Sequence, residues 1–386
     1  MLIQIMILMI QNIYAQSPLL FIVLILLVIA TIVQLVYYWG IYGKLAFLKQ
    51  KNEFARTDQP VSVIVCARDE YYNLKENLPL LLAQDYSTFE VVVVNHGSED
   101  ETQYLLRDLA DEHKNLKIVN VSQDLNFFTG KKFPLSIGIK SASYDILLFT
   151  DADCVPASNQ WLRRMAANFT EGTEIVIGYG AYNKSKSLLN LLIRFDTTRI
   201  AMNYLSFARV GMPYMGVGRN MAYRKSLFYR QNGFISHYRI QSGDDDLFIN
   251  KAATATNTRI EIQAEAHTIS KPKASFDQWL RQKRRHLMTG GFYKPTHKFA
   301  LGLFAFSQIL FWATAISLLV LWYQPYVVLG IFALRLFSQL LVTGKVMRKL
   351  SEKRFLMLVP LFELFLMVIS PVLAFANILS KPVKWR

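Results

Sequence analysis

Residues 61–70 read VSVIVCARDE, in which the continuous apolar run Val61–Ala67 is followed by Arg68, Asp69 and Glu70. A short, almost continuous apolar run predicts a β-strand that is covered on both faces. Similar runs follow at 89–95 (FEVVVVN), 116–121 (LKIVNV) and 144–150 (YDILLFT), and helical stretches separate them at about 73–84, 98–113 and 134–142. Strands that alternate with helices predict an α/β domain with a mostly parallel sheet, whose ligand binds beyond the carboxyl ends of the strands.

The polar residues directly after these strands are therefore the first candidates for a functional site. They are the residues 68–70 (RDE), 95–98 (NHGS) and 151–153 (DAD). Ser98, with Glu101 three residues later, also predicts a capping box at the start of the second helix.

Two carboxylates, Asp151 and Asp153, follow the fourth predicted strand. Residues i and i+2 of an extended chain point to the same face, so both carboxylates can reach one ligand. A hard divalent cation that bridges substrate phosphates requires such oxygen ligands. The alternative interpretation is a solvated turn, or an Asx turn before Pro156.

Three consecutive carboxylates occur at 243–246 (GDDD), just before an apolar helical stretch. One aspartate there is explained by N-terminal helix capping, because Asp favours the first turn of a helix. Three adjacent like charges are mutually unfavourable. They indicate a metal, a cationic partner or a role in proton transfer.

Residues 276–287 (FDQWLRQKRRHL) form an amphipathic pattern just before a long apolar segment. Such a helix can lie in the interface of a bilayer, and its polar face can also cover a site in which guanidinium groups bind a diphosphate. Phe276, Leu280 and Leu287 share the apolar face, Arg281, Gln282 and Arg285 lie opposite, and Trp279 and His286 flank the polar face.

The 386-residue chain is 52% apolar with a mean hydropathy of +0.22, which argues against an ordinary soluble domain. Segment 17–38 is long enough to cross a bilayer. We expect an uncleaved anchor, because a signal peptide needs positive charge at its start and the first basic residue is Lys44. Three more such segments lie at about 299–322, 326–343 and 355–379, and the apolar residues 1–16 could lie in the interface.

The basic residues indicate the orientation of these segments. Lys44, Lys49, Lys51 and Arg56 follow the first segment, and residues 344–354 carry five more, which places the middle of the chain in the cytoplasm. Four plain spans would leave the basic C-terminal end, with Lys381, Lys384 and Arg386, outside. A kinked, re-entrant or neighbour-packed last segment is therefore the alternative.

Lys and Arg outnumber Asp and Glu by 43 to 28, a formal charge of +15. Because the basic residues cluster beside the membrane segments and in helix 276–287, we do not expect a nucleic-acid partner. Two cysteines, Cys66 and Cys154, rule out a disulfide-stapled secreted scaffold, and we expect both to be buried packing residues.

Taken in order, these motifs resemble the membrane-bound members of glycosyltransferase family 2, which are inverting enzymes with a GT-A fold. The resemblance runs from about 61 to 291. It depends on VSVIVCARDE (61–70), FTDADC (149–154), SGDDDL (242–247) and QKRRH (282–286), with support from 130–142 and 216–228.

The resemblance implies roles for particular residues. Asp153, assisted by Asp151, would hold a divalent ion, Mg²⁺ or Mn²⁺. The general base would be Asp245, or Asp244 if the motif is aligned one residue earlier. The donor-binding residues would be Ala67, Arg68, Glu70, Asn95, Lys131, Asp151, Gln282 and Arg285, and the acceptor-binding residues would be Trp279 and His286.

The sequence departs from the family pattern at two places. Asn95 and His96 stand where the family has two aspartates, of which the first contacts the base or ribose, and an asparagine can donate as well as accept a hydrogen bond. His286 stands where the family has a tryptophan that stacks on the acceptor. The nucleobase, the acceptor and the processivity therefore stay open.

The sequence thus predicts an α/β, GT-A (Rossmann-like) cytoplasmic domain between N- and C-terminal transmembrane helices of a bacterial inner membrane protein. The predicted units are 1–56 (anchor and linker), 57–274 (GT-A domain), 275–298 (interfacial helix and linker) and 299–386 (transmembrane segments).

The predicted activity is inverting transfer of a sugar from a nucleotide-sugar donor, with UDP-sugar favoured and GDP-sugar as the alternative. The acceptor would be a hydroxyl of a lipid-linked or glycan molecule at the membrane, whose lipids are further partners. A processive polysaccharide synthase and a catalytically silent membrane scaffold are the alternatives.

Overall fold

The computed structural model describes residues 15, 17–49, 58–122, 130–240 and 242–379. Most of the segment 1–16 lies outside these residues, and so do Lys51 and Arg56 and the basic C-terminal residues Lys381, Lys384 and Arg386.

A seven-stranded sheet forms the centre of the α/β domain, with the strand order β3-β2-β1-β4-β8-β6-β9. Strands β1 to β4 run parallel, β8 is antiparallel to both β4 and β6, and β6 and β9 are parallel. The strands are β1 (Val61–Ala67), β2 (Phe89–His96), β3 (Leu116–Val121), β4 (Ile146–Asp151), β6 (Ile175–Ile177), β8 (Met221–Arg224) and β9 (Thr258–Ile260). The predicted α/β fold with a mostly parallel central sheet is confirmed.

A smaller sheet of three strands adjoins the carboxyl end of β4. It contains β5 (Cys154–Pro156), β7 (Gly180–Tyr182) and β10 (Thr268–Ser270), with β10 in the middle. Ser270 is paired with both Cys154 and Tyr182, so the residues after β4 lie two strands away from Tyr182.

The helices follow in chain order and include four long apolar ones. They are α1 (Pro18–Ala46, with a π-helical segment Val36–Tyr42), α2 (Tyr71–Leu82), α3 (Thr102–Glu112), α4 (Lys132–Ser141), α5 (Trp161–Ala166), α6 (Leu188–Arg209), α7 (Lys225–Arg230), α8 (Asp246–Ala252), α9 (Phe276–Leu287), α10 (Pro295–Val320), α11 (Pro325–Lys349) and α12 (Val359–Leu379).

Strand β1 is buried along its whole length because helices cover both faces of the sheet. Val63 and Val65 face a core that contains Leu74 and Leu78 of α2, whereas Ile64 faces a second core that includes α4. This alternation follows from the two-residue repeat of a strand. Helix α4 comes so close to the sheet that a Cβ atom at Gly138 would lie 2.6 Å from Val94 Cγ2.

The predicted capping box at Ser98 is wrong. Helix α3 begins at Thr102, and its N-cap residue Glu101 makes no capping hydrogen bond through its side chain. The Ser98 hydroxyl instead accepts the backbone N–H of Asp69 at 3.0 Å, which ties the loop after β1 to the loop after β2. A serine side chain can bond nearby backbone groups in several ways, and this tertiary contact replaces the local one.

Helices α1, α10, α11 and α12 are each long and apolar enough to cross a membrane, as the sequence predicted. Polar side chains connect all four. Arg335 on α11, only 1% exposed, donates to Gln34 of α1 at 2.8 Å and pairs with Glu363 of α12, and Glu363 also accepts from Gln308 of α10. Buried charges among membrane helices need such partners. Helix α12 is continuous from Val359 to Leu379, with Pro371 inside it.

Helix α9 has the predicted boundaries and lies between α6 and α12. Its Lys283 forms an ion pair with Asp196 of α6 at 2.7 Å, and its Arg284 donates to Asn377 of α12 at 2.9 Å. The first contact connects α9 to α6, and the second connects it to α12, which is one of the four long apolar helices.

Candidate active site

The carboxyl ends of β1, β2 and β4 lie side by side, because Cys66 is in register with Asp151 and Ala67 with Asn95. Asp151 is the last residue of β4 and forms an ion pair with Lys131, which directly precedes α4. Burial opposes ionisation of Asp151, but the charges of Lys131, Arg219 and Arg285 outweigh it and lower the pKa of this carboxyl group. Lys131 thus contacts this carboxylate directly, and Arg219 and Arg285 lie near enough for their charges to act on it.

Asp153 lies beside Asp151, in a group that could hold a metal ion. One ligand atom each of Asp151, Asp153 and Cys154 lies within 4.8 Å of the others. Burial raises the pKa of the Cys154 thiol, and so do both carboxylates. The thiol therefore stays protonated, 3.3 Å from Asp153 Oδ1 and 3.2 Å from Ser270 Oγ. The remaining donors are two carboxylates, which suit a hard cation such as Mg²⁺ or Mn²⁺.

Glu70, after β1, is close enough to this pair to be affected by it. Burial raises the pKa of Glu70, and the charges of Asp153 and Asp151 raise it further, although a hydrogen bond from Asn73 has the opposite effect. The Asn73 Nδ2 donates to Glu70 Oε2 at 2.6 Å. Glu70 thus adds negative potential on the same side of the site.

The three consecutive aspartates have three different surroundings. Asp246, the first residue of α8, is 6% exposed and accepts hydrogen bonds from Tyr293 Oη at 2.7 Å and from Thr289 Oγ1. These partners precede α10, so Asp246 connects the aspartate loop to the start of a membrane helix. Its contacts indicate a structural role.

Asp245 is the N-cap residue of α8, so the helix-capping interpretation is correct for this residue. Its two carboxylate oxygens accept the backbone N–H groups of Asp246 at 2.7 Å and Gly218 at 2.8 Å. Burial raises the pKa of Asp245 to about 8, and the charges of Asp244 and Asp246 contribute to this rise. Each carboxylate oxygen has a second lone pair, so capping leaves the group able to accept a proton.

Asp244 has no hydrogen-bond or ion-pair partner among the residues that the structure describes. Its charge raises the pKa of Lys131 and of Cys66, which places Asp244 on the same side as Asp151. The loop before it is held by Lys132, whose Nζ donates to the carbonyl oxygens of His237, Ile240 and Ser242 at 2.9, 2.5 and 2.7 Å.

Helix α9 contributes the other side of the site. Gln282 Nε2 donates to Tyr182 Oη at 3.3 Å, and Tyr182 also accepts from Arg219 at 2.9 Å. The Arg219 guanidinium lies 4.4 Å from the centre of the Tyr182 ring. Arg285, one turn along α9, acts on Asp151 from this side.

His286 follows Arg285 and is exposed at the end of α9. Although the residue keeps contact with solvent, the protein atoms around its ring partly desolvate it and lower the pKa of His286, and the charges of Arg285 and Arg219 lower it further. The imidazole is therefore neutral at pH 7 and can donate or accept a hydrogen bond.

Other predicted residues have surroundings less open to a ligand. Trp279 is 3% exposed and stacks on Phe365 of α12, with ring centres 6.4 Å apart, so its ring is not available as an open stacking surface. Asn95 is 4% exposed, and its amide bonds Asn120 at 3.1 Å and the N–H of Ser98 at 3.3 Å. Ala67 is buried within β1, and Arg68 lies 3.9 Å from Asp69, both partly exposed.

The structure adds functional candidates that the sequence did not single out. Arg219 lies in the run 216–220 (GVGRN), and its guanidinium donates to Tyr182 Oη and to the carbonyl oxygen of Gly180 while its charge lowers the pKa of Asp151. Lys132 and Tyr182 position parts of the site through the contacts above. A signal for Arg219 was the likeness of 216–228 to glycosyltransferases, whereas nothing local marks Tyr182.

An α/β domain with paired carboxylates and converging cations at the carboxyl ends of its strands has the architecture of a GT-A-like glycosyltransferase. The mannosyltransferase PcManGT from Pyrobaculum calidifontis, solved with GDP-Man and Mn²⁺, has a similar fold, with a TM-score of 0.58 and 18% identity, over 86% of this chain and 99% of that one. The chain belongs to glycosyl transferase family 21, whose sequence profile matches residues 19–386. The resemblance found in the motifs is thus confirmed for GT-A-like glycosyltransferases in general, and the family to which the chain belongs is one of glycosyltransferases.

Relatives match over part of the chain. Glycosyltransferase AglE of Haloferax volcanii is 29% identical over 194 residues, 48% of this chain and 58% of that protein. A poly-β-1,6-N-acetyl-D-glucosamine synthase of Staphylococcus epidermidis is 28% identical over 128 residues, 32% of this chain and 29% of that protein. The chain therefore matches little more than half the length of the first relative and less than a third of the second.

Proposed function

We propose that the protein transfers a sugar from a nucleoside diphosphate sugar to a hydroxyl group of a membrane-associated acceptor, with inversion at the anomeric carbon. The observation that carries this proposal is the cationic surroundings of Asp151, which pairs with Lys131 and whose pKa is also lowered by the nearby charges of Arg219 and Arg285. Guanidinium and ammonium groups from three segments, next to a carboxylate pair, suit a diphosphate with a bound cation.

The donor would bind between the end of β4 and helix α9. Asp151 and Asp153 would hold Mg²⁺ or Mn²⁺, and that ion when bound would neutralise charge on the diphosphate leaving group. Arg285 and Arg219 would bind the diphosphate oxygens from the other side, and Gln282 is held near them by Tyr182. The GDP-Man and Mn²⁺ of the Pyrobaculum mannosyltransferase are consistent with this chemistry. We favour a UDP-sugar and keep a GDP-sugar as the alternative.

Asp245 would remove the proton of the acceptor hydroxyl as its oxygen attacks the anomeric carbon. Attack from the face opposite the leaving group inverts the configuration. Its raised pKa of about 8 makes Asp245 a stronger proton acceptor than an ordinary aspartate. Asp244 is the alternative base, because it has no partner among the described residues and lies near Lys131.

The acceptor would approach from the membrane side. Helix α9 covers the site, and Lys283 and Arg284 connect it to α6 and α12. A lipid-linked or nascent glycan acceptor at the surface of a bacterial inner membrane suits this position, with the catalytic domain in the cytoplasm.

A processive polysaccharide synthase is a second candidate, and the Staphylococcus relative named as a polymer synthase favours it. The two candidates differ in product length, since one adds a single sugar and the other a chain. A catalytically silent scaffold is the third. Hydrolysis of a nucleotide sugar by the purified protein would exclude it.

The test is a screen of radiolabelled nucleotide sugars with membranes that contain the protein, with and without Mn²⁺ or Mg²⁺. We expect metal-dependent transfer of label from one donor class into lipid or glycan. Membranes prepared in the same way without the protein are the matched control. If no nucleotide sugar gives label above that control, the proposed activity is wrong.

A further inference from the structure

A second cleft lies at the β9 edge of the seven-stranded sheet, apart from the candidate active site. Its volume is about 610 Å³, and none of the residues that line it is among the predicted site residues. Helix α6 packs beside β9 there, and the chain after α1 and the end of α5 complete the walls. A space of this size can hold a ligand.

The charge of this cleft is strongly positive. Arg209, at the end of α6, and Arg259, in β9, are both exposed. Neither guanidinium has a hydrogen-bond or ion-pair partner in the described part of the chain. Exposed Lys49 also lines the cleft.

The remaining charges of the cleft are already engaged. Arg164 lies 3.9 Å from Glu265, so its charge is partly balanced. The Glu261 carboxylate accepts hydrogen bonds from Asn168 Nδ2 at 3.0 Å and from the N–H of Gln263 at 2.8 Å. The cleft therefore has an excess of cations whose donors are available to an anion.

The cleft also lies at the end of two membrane helices. Leu48 and Lys49 follow directly on α1, which ends at Ala46. Lys349, the last residue of α11, donates to the carbonyl oxygen of Leu48. Where apolar helices end, phospholipid headgroups begin, so anionic phosphate is present at this depth.

We propose that this cleft binds the phosphate headgroup of an acidic membrane lipid through Arg209 and Arg259. The three available cations, the room between α6 and β9, and the position at the ends of α1 and α11 all favour a lipid over a soluble anion. This site is independent of the proposed sugar transfer, because none of its residues contacts the carboxylates at the end of β4.

The test uses the full chain in micelles of a neutral detergent. Thermal unfolding is followed while dioleoyl phosphatidylglycerol, dioleoyl phosphatidylcholine or inorganic phosphate is added at equal phosphate concentration. We expect phosphatidylglycerol alone to raise the unfolding midpoint, because a ligand of the folded state stabilises it. For the Arg209→Gln/Arg259→Gln variant, the phosphatidylglycerol titration should shift to a concentration about 30-fold higher, since each cation near a membrane surface contributes about a fivefold factor.

The matched control is the Arg107→Gln/Lys114→Gln variant. These two exposed cations lie on or just after α3, beside β3 at the opposite edge of the sheet, and the change in charge is the same. This variant should titrate like the wild type. The proposal is overturned if the Arg209→Gln/Arg259→Gln variant also titrates like the wild type, if both variants shift equally, or if inorganic phosphate acts as well as the lipid. No donor sugar is present, so failure here is distinct from failure of the transfer assay.

Discussion

Replacing Asp245 by asparagine tests the proposed base most directly. The substitution keeps the size of the side chain but removes its ability to accept a proton. General-base catalysis contributes about 10²–10⁴-fold to a rate, so transfer should fall by a factor in this range. Donor binding should stay, because Lys131, Arg219 and Arg285 act at Asp151 and not at Asp245.

The raised pKa of Asp245 adds a pH dependence whose direction is fixed. Only the deprotonated carboxylate can act as base, so wild-type activity should rise with pH and level off above about 8. At pH 7 about a tenth of the groups would be deprotonated, and each lower pH unit costs about another factor of ten. The deficit of the Asp245→Asn variant should therefore be about tenfold smaller at pH 7 than at pH 9.

The free energy of unfolding of the Asp245→Asn variant should differ little from that of the wild type, because two effects of the substitution oppose each other. The amide has a single oxygen, so it can keep only one of the bonds to the N–H groups of Gly218 and Asp246. Loss of the other costs about 1–3 kcal/mol. The neutral amide, however, avoids the cost of ionising a carboxyl group that burial and the charges of Asp244 and Asp246 disfavour. This gain grows as pH rises above the ordinary pKa of an aspartate and is complete above about pH 8.

The assay is the initial rate of label transfer between pH 6 and 9, with donor binding measured in parallel. Asp244→Asn and Asp246→Asn are the matched variants within the same cluster. If Asp245→Asn keeps both the rate and the pH profile while Asp244→Asn loses them, Asp244 is the base. If neither variant loses activity, neither aspartate is the base.

Three further predictions concern the metal site, the membrane bundle and the aspartate loop. Asp153→Ala should weaken metal-dependent donor binding by at least about tenfold, and an unchanged affinity in metal titrations would remove Asp153 from the proposed ligands. Glu363→Gln should lower the free energy of unfolding in detergent by about 3–5 kcal/mol, because it leaves Arg335 buried without its anion; an unchanged thermal midpoint would show that the pair adds no net stability. Tyr293→Phe should cost about 1–3 kcal/mol through the lost 2.7 Å hydrogen bond to Asp246, and thermal unfolding that matches the wild type would contradict this.

The sequence predicted the strands and membrane helices because their signals are local. Strands β1 and β3 and helix α9 have the predicted boundaries, since continuous apolar runs and amphipathic patterns depend on burial alone. The capping box at Ser98 failed for the opposite reason. Its hydroxyl bonds Asp69, which is 29 residues away, and a local pattern cannot show a tertiary partner.

The site was predictable in part. Asp151, Lys131 and Arg285 follow recognisable motifs, and the structure brings all three together. The surroundings of Trp279 in the structure differ from what the sequence led us to expect. The resemblance implied that Trp279 binds the acceptor, but its ring stacks on Phe365, which lies in α12, 86 residues later in the chain. Which face of an amphipathic helix is covered depends on partners that its own periodicity does not reveal.

The three aspartates show how one motif serves both fold and chemistry. Asp246 bonds Tyr293 and Thr289, just before α10, so the aspartate loop is fixed by the chain that enters the membrane. Helix α9 is also connected to a membrane helix, because Arg284, the residue before Arg285, donates to Asn377 of α12. Both the proposed base and the proposed diphosphate ligand are therefore positioned by contacts that depend on the packed membrane helices. The membrane helices therefore contact both sides of the candidate site, through α9 and through the chain that leads into α10.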